Sequence, residues 1–257
     1  MYAMKENIVH FGFLLSVLSG LSSCSKESSA SKDIIVIEAT GSIQSKMDEF
    51  RHLLGDQLNT TTGVTGGRRE INWDGIADDM VGKDLPLDFF NPTAPGAPEA
   101  RQRGLAYAAG GQFRVSNSNF QEVNSNAASQ FQSFSGSKTF ANVSKNAWEI
   151  VVEKAGKAIP ASTRGFGAVF SDVDVQHSTS LEFFNGEKSL GQFFVPPHDA
   201  GSSFSFLGVY FNTEERITRI RVQHDGILSD GQKDISDSGP KDLVVLDDIL
   251  YSEPVAE

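Results

Sequence analysis

The chain has 257 residues, a formal net charge of −11, and 19 Phe against two Trp and four Tyr. An acidic chain argues against nonspecific binding to nucleic acid or to anionic lipid headgroups, because both require patches of Lys and Arg. The single cysteine, Cys24, excludes an internal disulfide and a zinc site built from several cysteines. The acidity fits either a solvated, soluble surface or carboxylates gathered around cations such as Ca²⁺.

The N-terminus has the layout of a secretory signal. Lys5 precedes an apolar core over residues 8–18, which is shorter than the ~20 residues that a membrane-spanning helix needs. The sequence Leu-Ser-Ser-Cys that ends at Cys24 resembles the bacterial lipobox, in which the cysteine thiol receives a lipid. We predict a lipoprotein signal peptide over 1–23, a flexible tether over 24–33, and an exported protein anchored to a bacterial membrane through lipid on Cys24. The alternative is an ordinary cleaved signal with an incidental cysteine.

One short helix is predicted near 42–54, directly after a first strand over 33–40. Its apolar residues recur at i, i+4, i+7 and i+11, a spacing that places them on one helical face: Ile43, Met47, Phe50 and Leu54. Ser42 is the expected N-cap and Gly55 the expected stop.

The segment from Arg68 to Gly75 alternates apolar and polar residues, as in a strand with one buried face. Its polar residues Asn72 and Asp74 fall at calcium-ligand positions of the EF-hand pattern, but Val81 stands where the bidentate Glu belongs. Two interpretations stay open. The segment is a strand that leaves the core through an Asp-Gly turn, or a turn that donates one or two oxygens to a Ca²⁺ completed from elsewhere.

The middle of the chain alternates loops and strands. A Pro-rich loop over 85–100 and a polar loop over 116–129 are predicted, together with strands over 104–115, 130–139 and 148–152. The polar loop is either a binding rim or a solvated connection.

A block of aromatic and β-branched ribbons from Gly165 to Val222 dominates the sequence. Its strands are predicted over 165–175, 180–184, 189–195, 203–211 and 216–222, with the hairpin dipeptide Asn185-Gly186 between two of them. Burying so many Phe side chains favours two facing sheets. We therefore predict a mainly β fold, a two-sheet antiparallel β-sandwich (jelly roll) with one short N-terminal helix packed on it, as a single domain over 34–254.

The closing strand, over 243–251, contains two carboxylates within an apolar run, Asp247 and Asp248. A period of two places them on opposite faces, so at least one points inward, where a carboxylate needs hydrogen-bond donors or a metal. We predict that a structural Ca²⁺, if the protein holds one, uses Asn72 and Asp74 together with Asp247 or Asp248.

Several of these segments resemble those of known protein families. The tail is similar to the last strand of galactose-binding-like jelly rolls, in several of which an apolar-Asp-Asp-apolar signature lies near a structural calcium. Most of 42–254 is similar to a group of secreted bacterial proteins, many with a C-terminal sorting signal of the PEP-CTERM type. The matching pieces are residues 68–75, 165–174, 189–196, 204–209 and 242–248. The sequence departs from that group because it carries a lipobox and ends without a sorting helix. The resemblance implies a jelly-roll fold and surface display, and it implies no activity.

Few residues point to a reaction. Asp172 and Asp174 share a face of their predicted strand and suit acid–base chemistry, cation binding or plain solvent exposure. His177 and His198 fall in predicted turns and are expected at the surface, and an acidic, Gly-containing loop is predicted over 224–242. No metalloprotease histidine spacing and no Gly-x-Ser-x-Gly elbow occurs in the sequence.

Three functions remain. We favour a noncatalytic, envelope-anchored binding module whose ligand is a glycan or another surface polymer. The second is a structural or adhesive envelope protein that contacts other proteins through its edges or loops. The third, a glycan-active enzyme using Asp172 and Asp174, is the least favoured, because fold does not decide chemistry.

Overall fold

The computed structural model describes residues 33–108, 110–198 and 203–256. The predicted signal peptide, Cys24 and nearly all of the tether lie outside these residues. Within them, no helix is long and apolar enough to cross a membrane.

The described chain is built mainly of antiparallel strands. In chain order they are β1 (Ile34–Thr40), β2 (Arg68–Ile71), β3 (Leu105–Tyr107), β4 (Phe113–Ser116), β5 (Thr139–Asn142), β6 (Ala147–Val152), β7 (Ala161–Ser162), β8 (Gly165–Ser171), β9 (Ser180–Asn185), β10 (Lys188–Phe194), β11 (Phe204–Phe211), β12 (Arg219–Gln223), β13 (Val245–Ser252) and β14 (Val255–Ala256). One sheet has the order β1-β11-β8-β13-β5-β4, with β2 also paired to β13. A second has the order β10-β9-β12-β6-β3, and β14 pairs with β7.

The two large sheets face each other across one apolar core. Phe166 and Phe170 from the first sheet are fully buried in the same cluster as Phe183 and Ile220 from the second. Each buried Phe contributes about 1.5–3 kcal/mol relative to its exposed state, so the Phe-rich ribbons supply much of the stability. The predicted fold class, a two-sheet antiparallel β-sandwich with one helix, is confirmed.

The helix, α1 (Gln44–Leu54), covers the outer side of the seven-stranded sheet. Its predicted buried face is confirmed, since Met47, Phe50 and Leu54 are buried, and Gly55 ends it as expected. The predicted N-cap is wrong. Ile43 occupies that position and makes no side-chain cap, so burial of its side chain rather than capping fixes the helix start.

Two predicted strands have other limits. Residues 130–138 form turns and loop, and the strand begins only at Thr139. The predicted strand over 104–115 divides into β3 and β4, which lie in different sheets, with Gly110 and Gly111 at positive φ between them. Glycine permits the backbone to turn from one sheet to the other there.

A bulge in β13 changes the orientation of its two carboxylates. Leu246 pairs with Phe170 and Ile249 pairs with Ala168, so two residues, Asp247 and Asp248, oppose one residue of β8. Both side chains reach Ser135, and they therefore lie on the same side of the strand. The strict alternation predicted for this pair is interrupted by the bulge.

Strand β8 ends earlier than the sequence suggests. It stops at Ser171 because Asp172 adopts a left-handed conformation with φ 71°. Asp and His adopt this region more readily than most residues, and His177 does so as well, with φ 67°. The segment between them leaves the sheet as a loop, and it carries part of the site described next.

Candidate functional site

Four carboxylates and one imidazole converge at the end of β8. Asp172 and Asp174 come from the loop after β8, and His198 follows β10. Asp234 and Asp242 come from the long connection between β12 and β13. We call these five residues the acidic cluster.

The ligand atoms of the acidic cluster are close enough to share an ion. One atom each from Asp172, Asp174 and His198 lies within 4.8 Å of the other two, and the same holds for Asp174, Asp234 and Asp242. Asp174 belongs to both groups and is the centre of the cluster. Its Oδ1 lies 2.8 Å from His198 Nε2, which also lies 3.6 Å from Asp172 Oδ1.

The carboxylate of Asp242 fastens the loop after β8. Its Oδ2 accepts hydrogen bonds from the backbone N–H groups of Asp174 and Val175, both at 3.1 Å, and from Ser178 Oγ. The residue is fully buried, and its other oxygen, Oδ1, has no hydrogen-bond partner. One oxygen therefore positions the loop while the other remains unsatisfied within the cluster.

Asp234 is held in place by its own turn. Its Oδ2 caps a short 3₁₀ helix by accepting from Ser236 N and Ser236 Oγ, both at 2.7 Å, and its Oδ1 accepts from Leu243 N at 2.7 Å. The side chain is fully buried. These bonds fix the carboxylate beside Asp174 and leave it little freedom to move away.

Burial and mutual repulsion raise the pKa of Asp172, Asp174 and Asp242. Desolvation, followed by the charges of Asp234, Asp174 and Asp242, raises the pKa of Asp172 to about 8. Desolvation is also the main cause that raises the pKa of Asp242 to about 6, and it raises the pKa of Asp174. Asp172 is only 4 % exposed, and its Oδ2 has no hydrogen-bond partner.

The cluster is short of positive charge. Among the described residues, no Lys or Arg forms an ion pair with any of its four carboxylates, and His198 is the one basic partner. Buried charges of one sign are costly unless protons or a cation balance them. Oxygen donors of this kind suit Ca²⁺, Mg²⁺ or Mn²⁺, whereas zinc prefers sites richer in His and Cys. The acidic cluster can hold a metal ion.

The residues predicted as calcium ligands lie elsewhere. Asn72 is exposed, and Asp74 accepts a hydrogen bond from Ser137 N at 2.8 Å. The ammonium of Lys138 donates to the carbonyls of Asp74 and Ile76 at 3.5 and 2.6 Å. A side-chain cation therefore already binds the carbonyl oxygens of this turn.

Asp247 and Asp248 are both buried and bind the 134–135 segment. Asp247 Oδ2 accepts from Phe134 N at 2.6 Å, and Asp248 Oδ1 accepts from Ser135 Oγ at 2.6 Å. Desolvation and the charge of Asp248 raise the pKa of Asp247 to about 8. In the described residues, neither acid belongs to a group of three converging acidic or histidine side chains. Calcium binding at Asn72, Asp74, Asp247 and Asp248 stays a prediction.

Sequence reasoning found parts of the acidic cluster without joining them. Asp172 and Asp174 were expected as a pair, and Asp234 and Asp242 fell in a loop that was recognised only as acidic and Gly-containing. The surface position expected for His198 is wrong, since its side chain is 16 % exposed beside two carboxylates. The sequence signal for the cluster was the presence of both an Asp-x-Asp motif at the end of a predicted strand and a Gly-containing acidic loop later in the chain.

A small groove lies beside the acidic cluster. It has a volume of about 320 Å³ and opens between the edge strands of the two sheets, with Glu38 from β1 on one side and Phe194 from β10 on the other. Gln176 and His177, from the loop that Asp242 fastens, also line it, and Val195, Pro196 and Pro197 complete it. We call it the edge groove.

The outer face of the five-stranded sheet carries a charged network. Arg219 and Arg221 share a strand face, and their guanidinium groups lie 4.0 and 5.4 Å from the ring centroid of Phe184. Both donate to Glu149 Oε1, at 2.7 and 2.9 Å. The arginines are thereby largely satisfied within the protein.

Comparisons with known proteins place few constraints on this chain. No protein-family model and no curated protein matches it. Three solved structures match, all variants of the CBM29-2 module from work on ligand recognition by family 29 carbohydrate-binding modules. They show 11, 10 and 10 % identity and TM-scores of 0.25, 0.25 and 0.24, covering 48, 47 and 47 % of this chain and 75, 72 and 74 % of theirs. These values are too low for the comparison to inform the ligand.

Proposed function

We propose that this protein is a noncatalytic β-sandwich binding module of the bacterial cell envelope, ordered by Ca²⁺ and serving to bind a glycan. The acidic cluster carries the proposal. Four carboxylates from two separate segments converge there, and three of them, Asp172, Asp174 and Asp242, keep an oxygen without a hydrogen-bond partner.

Calcium is the ion that fits this donor set best. It accepts six to eight oxygen ligands in flexible geometry, whereas Mg²⁺ demands a near-ideal octahedron that four tethered carboxylates do not readily supply. His198 then acts as an orienting group, because its Nε2 lies 2.8 Å from Asp174 Oδ1. The ion would join the loops after β8 and β12 and stabilise both.

The test is a calcium titration of the full-length protein in detergent. We expect saturable binding by isothermal titration calorimetry and a rise in the melting temperature, since an ion that binds only the folded state at 100 times its Kd adds about 2.7 kcal/mol. For a domain of this size that gain corresponds to roughly 5–10 °C. If the melting temperature is the same in EDTA and in CaCl₂, the calcium part of the proposal is wrong.

Membrane anchoring through Cys24 is the second part of the proposal, and it is supported by the lipobox-like sequence alone. Several acyl chains on one cysteine hold a protein firmly, since each buried methylene contributes about 0.8 kcal/mol. The wild-type protein should partition with the detergent phase, and a Cys24→Ala variant should move to the aqueous phase. A variant that stays fully with the detergent phase would contradict lipid anchoring.

A structural or adhesive role is the alternative, and one feature favours it. Within the described residues β1 pairs with β11 alone, so its other edge is open, and Ile34 and Val36 on it are 38 and 40 % exposed. Open strand edges of this kind can add a strand from another chain. Cross-linking on intact cells separates the two roles, because an adhesive protein should yield protein partners through β1.

A further inference from the structure

We propose that the edge groove is the glycan-binding site, and that it takes a neutral pyranose whose ring packs on Phe194. This inference rests on the proposed function and gives it a location and a ligand class. Its starting point is the exposure of one aromatic ring. Phe194 is 38 % exposed, and it is the only exposed aromatic residue in the part of the chain that the structure describes.

The ring of Phe194 is exposed because it lies at the end of an edge strand. β10 is an edge strand of its sheet, and Phe194 pairs with Ser180 at its end. One side of the ring contacts His177, whose ring centroid lies 4.5 Å away at an interplanar angle of 54°. The other Phe, Trp and Tyr side chains of the described residues are buried or half-buried, so Phe194 is the ring that offers an apolar face to a ligand in this groove.

The polar groups around Phe194 suit a sugar. The carboxylate of Glu38, the amide of Gln176 and the imidazole of His177 all line the edge groove and offer both donors and acceptors. An apolar wall with a few polar groups that fix orientation is the usual composition of a small-molecule site. The volume of about 320 Å³ is at the small end of the range for such sites, which suits one or two sugar rings.

The negative charge of the protein and of the edge groove favours neutral over acidic sugars. The protein carries a net charge of −11, and the charged side chain in the edge groove is the carboxylate of Glu38. A uronic acid or sulfated sugar would be repelled at that position. Neutral hexose or pentose polymers are the ligands that this chemistry accepts.

The acidic cluster controls the shape of the groove. Gln176 and His177 lie within the loop that Asp242 holds through Asp174 N, Val175 N and Ser178 Oγ. His177 adopts a left-handed backbone conformation, which costs free energy and persists only when neighbouring contacts impose it. Calcium binding by the same carboxylates would rigidify this loop and preorganise the groove.

The experiment measures sugar and calcium binding on the same variants of the full-length protein in detergent. Soluble β-glucan, xylan and galactomannan serve as probes, in CaCl₂ and in EDTA. We expect Phe194→Ala to weaken binding of at least one polymer by about tenfold or more while its calcium titration stays unchanged. Leu87→Ala is the matched control, because Leu87 is 41 % exposed in a distant loop and its removal should change neither titration.

The outcomes separate this inference from the proposed function. If Phe194→Ala binds every polymer as tightly as the wild type, the edge groove is not the sugar site, while the proposed glycan binding stands. If no polymer binds the wild type, the glycan part of the proposed function fails together with this inference, and the calcium titration decides the calcium part separately. If the polymers bind through Phe194 but calcium does not bind, the assignment of the edge groove as the sugar site is supported. The calcium part of the proposed function is then wrong. Loss of sugar binding in EDTA together with Phe194 dependence is the result that supports both.

Discussion

The backbone N–H of Asp174 donates a hydrogen bond to the carboxylate of Asp242 at 3.1 Å, although 68 residues separate the two in sequence. The bond uses Oδ2 of Asp242 and leaves Oδ1 unpartnered. It therefore makes one side chain responsible both for the shape of a loop and for part of the charge of the acidic cluster. These two roles can be separated by substitution.

Asp242→Asn should weaken calcium binding strongly and leave the fold intact. The amide oxygen can still accept from Asp174 N and Val175 N, but the negative charge is lost. We expect a loss of calcium affinity of about tenfold or more, since a hydrogen-bonded charge contributes about 1.5–3 kcal/mol. Calorimetric titration measures it, and Asp230→Asn is the control because Asp230 is an exposed acid of the same connection. Equal affinity in Asp242→Asn and Asp230→Asn would contradict the assignment of Asp242 as a ligand.

The pair formed by Asp247 and Asp248 should make stability depend on pH. The pKa of Asp247 is raised to about 8 in the folded protein from an ordinary value of 3.8, because the group is desolvated and lies beside Asp248. A group whose pKa is higher in the folded than in the unfolded state stabilises the folded protein fully at pH values below its unfolded pKa. That stabilisation is lost as the pH rises through its folded pKa. The melting temperature of the wild type should therefore fall between about pH 5 and pH 8.

Asp247→Asn isolates this effect. The amide cannot ionise, and its oxygen can still accept from Phe134 N, so the variant should lose less stability on going to pH 8. We expect the difference between variant and wild type to change by on the order of 5 °C across that range. Asp88→Asn, at an exposed position, should follow the wild type. Parallel pH profiles for all three proteins would show that the pair does not titrate there.

Strand and helix periodicity predicted most of the architecture. Runs of aromatic and β-branched residues, separated by turn residues such as Asn185-Gly186, identified the ribbons of both sheets. The helical face of Met47 and Phe50 was equally visible. The bulge at Asp247 was not, because an extra residue in a ladder depends on the partner strand and leaves no period of its own.

The acidic cluster could not be predicted as a unit. Asp172 and Asp174 lie in one segment, Asp234 and Asp242 in another and His198 in a third, and only the packing of the two sheets brings these segments together. Each segment alone has the composition of a solvated turn. Convergence of this kind is a tertiary property, and local sequence patterns report it only when the ligands share one element.

Gly208→Ala should destabilise the protein by about 1–3 kcal/mol through overpacking. A Cβ atom added at Gly208 would lie 2.8 Å from Cδ2 of Phe50, which is fully buried between α1 and the sheet. The ring is confined on that side as well, since a Cβ added at Gly167 on the neighbouring strand would lie 2.8 Å from Cε1 of Phe50. Chemical denaturation measures the change. Gly231→Ala, at a position with no heavy atom near the added Cβ but with φ 66°, tests backbone strain without crowding. A smaller loss in Gly208→Ala than in Gly231→Ala would contradict the tight contact.

Glu253→Gln should lower the free energy of unfolding by about 3–5 kcal/mol, because it removes one partner of a buried ion pair. Arg69 is fully buried, and its Nε and Nη2 lie 2.7 and 2.9 Å from the two carboxylate oxygens of Glu253. The substitution leaves the guanidinium charge without a counterion. Glu49→Gln removes the partner of Lys46 from an exposed pair of the same 2.7 Å length, so it should cost only about 0–1 kcal/mol. Urea denaturation of both variants compares them, and equal losses would mean that the Arg69 charge is balanced by a group other than Glu253.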